Sequence, residues 1–285
     1  MTAQDTFLAA LDALLASTGL PADIADVPTT AGRTRITSWG PADAPAAVLL
    51  HGYGATSSSW VSLVPHLARS RRVHAVDLIG DAGHSQADHA LRRPEDLYGW
   101  LDEVVAWTGQ SSVGLVGHSY GGWLACSYAL SRPSKVNHLS LIDPTNCFSG
   151  LAATYVLHAL PLLLKPSPDR WKSFLAWETT GTSLDERWVE VSSLATLLPH
   201  ARFVRPRRPT RRELADLSCP TLVLIAGRSK AHQPAALARA ANRYDAIAVT
   251  ELTDASHHSI PAVQGDRIAE AILSHQGRST RVRGQ

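Results

Sequence analysis

The run from Val113 to Gly122, "VGLVGHSYGG", contains Gly117-His118-Ser119-Tyr120-Gly121, a Gly-x-Ser-x-Gly pattern between an apolar stretch and one of helical character. A serine on a tight strand-to-helix turn presents its hydroxyl at a helix N-terminus, where it can attack a carbonyl, and small residues at the glycine positions let the backbone make that turn. The bare pattern also fits a glycine-rich turn with an incidental serine. The apolar run before it and "GGWLACSYAL" after it favour the nucleophile.

Attack by such a serine puts negative charge on the carbonyl oxygen, and preorganised backbone N–H groups stabilise it where water is excluded. "VLLHGYGATSSSW" ends another apolar run in His51-Gly52-Tyr53-Gly54. The N–H groups of Tyr53 and Tyr120 are the expected oxyanion donors, and the His51 ring is read as a brace for its own loop. The serine also needs a base, and "AIAVTELTDASHHSIP" offers the adjacent His257 and His258 after the last strand-like run. Successive loop side chains diverge, so one of the two can reach Ser119.

These residues need a scaffold. "RTRITSWG" alternates like a strand, and "AAVLLHG", "RRVHAVDLIG", "SSVGLVGHS", "VNHLSLIDP", "PTLVLIAG" and "DAIAVTEL" are further strand-like runs. Between and around them lie helical patterns: "SWVSLVPHLARS", "LYGWLDEVVAWTG", "GGWLACSYALSRP", "PAALARAANRY" and "GDRIAEAILSHQ". Apolar strands alternating with helices predict an α/β fold with a mostly parallel sheet covered on both faces, and ligands gather at the C-terminal ends of such strands. Residues 147–216 break the rhythm with Leu- and Trp-rich helical pieces. They are expected to form a helical cap inserted between two core strands, in which Trp171, Trp177 and Trp188 either pack or line a pocket.

At 285 residues, 45% hydrophobic and 18% charged, the chain suits one α/β domain over 1–285. A formal net charge of +2 gives no reason to expect nucleic acid, although six arginines fall between Arg202 and Arg212; that run is read as a solvated face or exposed linker, with a site that attracts anionic substrates as the alternative. Cys126, Cys147 and Cys219 lack metal-ligand spacing and are read as reduced thiols of a cytoplasmic protein. The first residues, "MTAQDTFLAALDALLASTGLP", are read as an amphipathic helix with no export signal and no membrane span, and the tail "GRSTRVRGQ" as lacking structure. No cofactor and no metal is called for.

The sequence resembles the α/β-hydrolase superfamily, and within it is similar to small serine carboxylesterases, from "TTAGRTRITSWGPADAPAAVLLHGYG" through "VHAVDLIGDAGHS" and "VGHSYGG" to "TDASHHSIP". The resemblance covers nearly the whole chain apart from the cap. It implies an eight-stranded sheet and a serine, acid, histidine triad in that order, and it fixes no substrate. Aligning "TDASH" with the family's x-G-x-G-H favours His257 as the base, with Ser256 replacing a glycine.

In similar hydrolases the acid follows Gly227 by about three residues, but this chain reads Arg228-Ser229-Lys230-Ala231-His232 there. A cation at Lys230 cannot stabilise an imidazolium. Some members, certain lipases and haloalkane dehalogenases among them, carry the acid one strand earlier, where "VNHLSLIDPTNCF" ends in Asp143. Asp143-Pro144 also reads as a turn initiator. Asp254 lies too near His257 on the same loop, and Asp77 and Asp81 follow a strand on the other side of the nucleophile. The expectation is therefore Ser119, His257 and Asp143, acting on a small-molecule ester or thioester. The alternatives are a lyase, C–C hydrolase or acyltransferase on the same fold, and a ligand-binding protein with an incomplete triad.

Overall fold

The structure, a computed structural model, describes residues 2–199 and 204–283. The apolar runs form strands because they can be buried on both faces, as at β3 (Ala46–Leu50), β6 (Val113–His118) and β8 (Thr221–Ala226). With β1 (Asp23–Thr29), β2 (Gly32–Trp39), β4 (Arg72–Val76), β7 (Val136–Ile142) and β9 (Ile247–Leu252) they make a sheet of order β1-β2-β4-β3-β6-β7-β8-β9. The first two pairings are antiparallel and the rest of that path is parallel. The two-residue β5 (Gln86–Ala87) pairs with β2 off this path, adding a ninth strand to the eight implied by the resemblance.

Successive strand residues face opposite sides, so the sheet carries two cores. Val48 and Leu50 pack on one side with Trp100, Leu101 and Trp123 of α3 (Pro94–Trp107) and α4 (Ser119–Ser131). Leu49 and Val116 pack on the other with Phe7 and Leu11 of α1 (Ala3–Ala16) and with Ile268 and Ile272 of α11 (Gly265–Arg283). From β3 the chain steps to β4 on one side, then crosses to β6 on the other. The C-terminal ends of β3 and β6 therefore flank a topological switch point, where loops part and leave a crevice.

Several sequence expectations need amendment. The edge strand β1 was not foreseen. The helix expected over "SWVSLVPHLARS" divides into a 3₁₀ turn, Ser57–Trp60, and the short α2 (Val64–Leu67), since Pro65 supplies no N–H to continue a helix from Trp60. The tail expected to lack structure continues α11 to Arg283, because its helical ladder propagates from a buried apolar face, and Gly284 and Gln285 lie outside the described residues. Arg202 of the arginine run is also outside them, while Arg205, Arg207, Arg208, Arg211 and Arg212 are exposed.

Between β7 and β8 the chain inserts α5 (Ala153–Leu164), α6 (Pro168–Glu178), α7 (Glu186–Ala195) and α8 (Arg211–Ala215). The first helix braces this insert, for α1 packs against α7 and its capping box of Thr2 and Asp5 fixes where it starts. Among the described residues no helix is long and apolar enough to cross a membrane. Phe7 is fully buried in this brace, so Phe7→Ala is expected to lower the unfolding free energy by about 3–5 kcal/mol. Chemical denaturation followed by far-UV circular dichroism measures it.

Candidate active site

Ser119 opens α4 with φ of 54°, a left-handed conformation that costs a non-glycine residue energy and must be enforced by its surroundings. The enforcement is close backbone packing. A Cβ on Gly121 would lie 2.1 Å from the Leu50 carbonyl oxygen, and one on Gly117 would lie 2.3 Å from the carbonyl oxygen of Gly121. The first turn of α4 is thus pressed against the end of β3, which brings the Tyr53 loop beside the serine. The Tyr53 and Tyr120 rings meet edge to face at 6.2 Å. His51 braces this loop, its Nδ1–H donating to Gly52 O at 2.8 Å while its Nε2 accepts from Leu78 N at 3.0 Å.

His257, on the loop after β9, has Nε2 2.9 Å from Ser119 Oγ and Nδ1 2.7 Å from Asp143 Oδ2. Asp143 is itself strained, with φ of 42°, and fully buried. Its carboxylate accepts from Ala226 N at 2.9 Å, Ser229 Oγ at 2.8 Å and His232 Nε2 at 2.9 Å besides His257. Burial alone would raise this carboxyl, but the hydrogen bonds and charges of His232 and His257 outweigh it and hold Asp143 far below the ordinary carboxylate range. Burial lowers the His257 imidazole below its usual value, against the pull of Asp143. A neutral ring with its proton directed at Asp143 leaves Nε2 free to accept from a serine hydroxyl.

Two partners in this assembly were not anticipated. His232 lies in the segment "RSKAHQP" that lacks the expected acid, and its presence there was the available signal. Glu178, the last residue of α6, is buried and accepts from His257 N at 2.9 Å and His258 N at 3.0 Å. Nothing in "FLAWETTG" distinguishes Glu178 from a solvated helical residue. The other polar atom of the His257 backbone, its carbonyl oxygen, accepts from His118 Nε2 at 2.8 Å. Burial holds His118 well below the usual histidine range, so it stays a neutral donor.

The remaining candidates lie elsewhere. His258 turns from Ser119 into the rings of Trp171, at 5.3 Å, and Phe174, at 5.7 Å. Lys230 donates to the Trp177 carbonyl oxygen, donates to Thr180 Oγ1 at 3.1 Å and sits 4.6 Å from the Trp177 ring centroid. Asp254 pairs with Arg267 at 2.5 Å, whereas Asp77 caps Ser57 N and His84 N, and Asp81 takes Gly54 N. Trp171 bonds Ser192 and Trp188 is buried in the core beside α1, so these two pack, whereas Trp177 stacks on His158 and with it, Pro161, Leu162 and Phe174 lines a cavity between α5 and α6. The cavity next to the serine turn is lined instead by Tyr53, Leu78, Ile79, Leu91, Leu97, Tyr120, Leu124 and Val204, with Asp81 and His89 among its polar members.

Residues 47–271 match the alpha/beta hydrolase family, and the chain belongs to it. Carboxylesterase YbfK of Bacillus subtilis is 26% identical over 259 residues, covering 87% of this chain and 86% of that protein. The crystal structure of carboxylesterase CesB (YbfK) from the same organism superposes with a TM-score of 0.88 at 23% identity, covering 96% of this chain and 98% of that one. The 1-acylglycerol-3-phosphate O-acyltransferase of Arabidopsis thaliana is 37% identical over 103 residues, 35% of this chain and 25% of that protein. This chain therefore matches only a quarter of that acyltransferase's length.

The charge on Glu178 has a measurable signature. Burial raises its carboxyl, but the His258 hydrogen bond, the charges of His258 and His257 and the His258 N–H outweigh it, leaving a value of about 2 against an ordinary 4.5. A depressed carboxyl stabilises the fold fully above its unfolded value and ceases to do so as pH falls through its folded value. Glu178→Gln is thus expected to be less stable than the native protein at neutral pH, with the difference shrinking between about pH 4.5 and pH 2. Urea titrations of both proteins across that range check it.

Proposed function

We propose that the protein is a serine hydrolase of carboxylesterase type, cleaving a carboxylic ester or thioester of a small apolar substrate through an acyl-enzyme. The observation that carries this reading is the relay from Ser119 Oγ to His257 Nε2, 2.9 Å, and from His257 Nδ1 to Asp143 Oδ2, 2.7 Å. In it Ser119 attacks the carbonyl carbon while His257 takes the hydroxyl proton, and the N–H groups of Tyr53 and Tyr120 receive the oxyanion. Collapse of the tetrahedral intermediate expels the alcohol or thiol, which leaves with the proton from His257. Water, deprotonated by the same ring, then attacks the acyl-enzyme and releases the acid. Asp143 holds the ring in the required tautomer and stabilises the imidazolium that forms twice in the cycle.

The likeness to carboxylesterase YbfK along nearly the full length of both chains supports ester hydrolysis. The apolar lining supplied by Leu78, Ile79, Leu91, Leu97 and Leu124 beside Tyr53 and Tyr120 supports an apolar acyl group. In this reading residues 147–216 act as a cap within the one domain, 1–285; the Tyr155 ring of α5, 5.9 Å from that of His257, supports it. The buried free thiols of Cys126, Cys147 and Cys219 are in keeping with a reducing, cytoplasmic setting.

Ser119→Ala is expected to abolish both p-nitrophenyl ester turnover and labelling by a fluorophosphonate, with an unchanged circular dichroism spectrum. Retained labelling would remove Ser119 from the role. His257→Ala should be the severe lesion and His258→Ala the mild one. Asp143→Asn should lower kcat on the order of 10⁴-fold, because the amide favours the wrong imidazole tautomer and cannot stabilise its charge. Native-like turnover by Asp143→Asn would leave a serine–histidine dyad in its place.

A further inference from the structure

Glu178 belongs to the inserted helices, yet its carboxylate is satisfied on another element. It accepts from Ser256 Oγ at 2.9 Å, His257 N at 2.9 Å, His258 N at 3.0 Å and His258 Nδ1 at 3.3 Å, all four on the loop that carries the base. A buried anion is a poor choice for stability alone, since an apolar residue of similar volume would commonly serve as well or better. What an anion offers here is direction. Two successive main-chain N–H groups converge on it, so the backbone on either side of the His257 Cα is pinned. With His118 Nε2 holding the His257 carbonyl oxygen at 2.8 Å, both polar atoms of that backbone are fixed, one by the insert and one by the end of β6.

The same end of α6 is tied to the loop after β8. Lys230 donates to the carbonyl oxygen of Trp177 and to Thr180 Oγ1, one residue before Glu178 and two after it. Position 230 is where similar hydrolases carry their acid, and the lysine here serves as a fastening for the insert. A cation beside the carbonyls that close α6 also suits the negative end of that helix. Two loops of the site, bearing His257 and His232, are thus fastened to one helix terminus.

We propose that Glu178 is a positioning residue: by accepting the N–H groups of His257 and His258 it sets the His257 ring between Asp143 and Ser119, so that the site is competent only while α6 is seated. The inference rests on the Ser119–His257 reading above. Its chemistry has two parts. A displaced ring lengthens the serine–imidazole bond, and a misplacement of about 1 Å can cost on the order of 10²-fold in rate. The anion also favours a charged imidazole. The groups facing Glu178 are His257, His258 and Ser256 of the histidine loop and Tyr155 of α5; His257 is faced besides by His118 at the end of β6, His232 of the loop after β8 and the second negative charge, Asp143.

The test compares native protein, Glu178→Gln and Glu178→Asp in p-nitrophenyl butyrate hydrolysis over the acid and neutral range, with amide hydrogen exchange of the resting proteins. Glutamine has one acceptor oxygen and turns an NH₂ toward N–H donors. Glu178→Gln should therefore lower kcat about 10–100-fold with KM little changed, by analogy with losses seen when groups supporting a site are removed. Loss of the negative charge should also move the acid limb of kcat/KM to lower pH, because His257 then gives up its proton more readily. Glu178→Asp keeps the charge and should return the acid limb toward its native position. Exchange at His257 and His258 N–H should accelerate in Glu178→Gln while amides of β3 and β6 keep their protection. A Glu178→Gln enzyme with native kcat and acid limb overturns the proposal, as does one that merely melts earlier. If the native protein cleaves no ester, the hydrolase reading fails and the exchange data still decide whether Glu178 holds the histidine loop, since unchanged protection at His257 and His258 contradicts it.

Discussion

One buried carboxylate organises this molecule's functional end. Asp143 collects hydrogen bonds from the end of β8, through Ala226 N, from the following loop, through Ser229 and His232, and from the histidine loop, through His257. A buried carboxylate is tolerable only when its acceptor positions are filled, and here they are filled by groups from three neighbouring chain segments. Meeting that requirement draws the C-terminal ends of β7, β8 and β9 together. The positive φ of Asp143 and of Ser119 are the local backbone costs of the arrangement, the second enforced by the close packing of Gly117 and Gly121.

Placing the carboxylate after β7 changes what the loop after β8 has to do. It no longer supplies the anion; it supplies two donors to it, Ser229 and His232, and a cation, Lys230, that engages the end of α6. The insert is held to the sheet by charge and hydrogen bonding near the site, and by the apolar packing of α7 on α1 farther away. On the proposed reading, substrate access and the geometry of the His257 ring are coupled through one helix end, and the same contacts that cover the acyl-enzyme keep its base in line.

Much of this was legible in the sequence because it is local. The turn at Ser119 is written in five consecutive residues and its flanks; the place after the last strand offers His257 and His258, and the resemblance to the family favours His257. Asp143 was pointed to by the resemblance, because Lys230 occupies the family's commoner acid position and an aspartate ends the preceding strand. Glu178 and His232 were not legible, because their roles arise only when segments about 80 residues or more apart in the chain meet, Glu178 with His257 and His232 with Asp143. The edge strand β1 was missed for a different reason. "DIADVPT" is mostly exposed and carries a proline, so its strand character comes from pairing with β2 rather than from burial.

The claim that one carboxylate orients two imidazoles has a direct test in the tautomers of the resting protein. A ¹⁵N spectrum of histidine-labelled protein at neutral pH should show His257 protonated on Nδ1, with Nε2 a bare acceptor toward Ser119. It should show His232 with its proton on Nε2. Both protons should exchange slowly with water, since both lie on the buried Asp143 carboxylate. A His257 ring carrying its proton on Nε2, with Nδ1 unprotonated, would contradict the account, for the imidazole would then be turned from Asp143 and unable to accept from the serine.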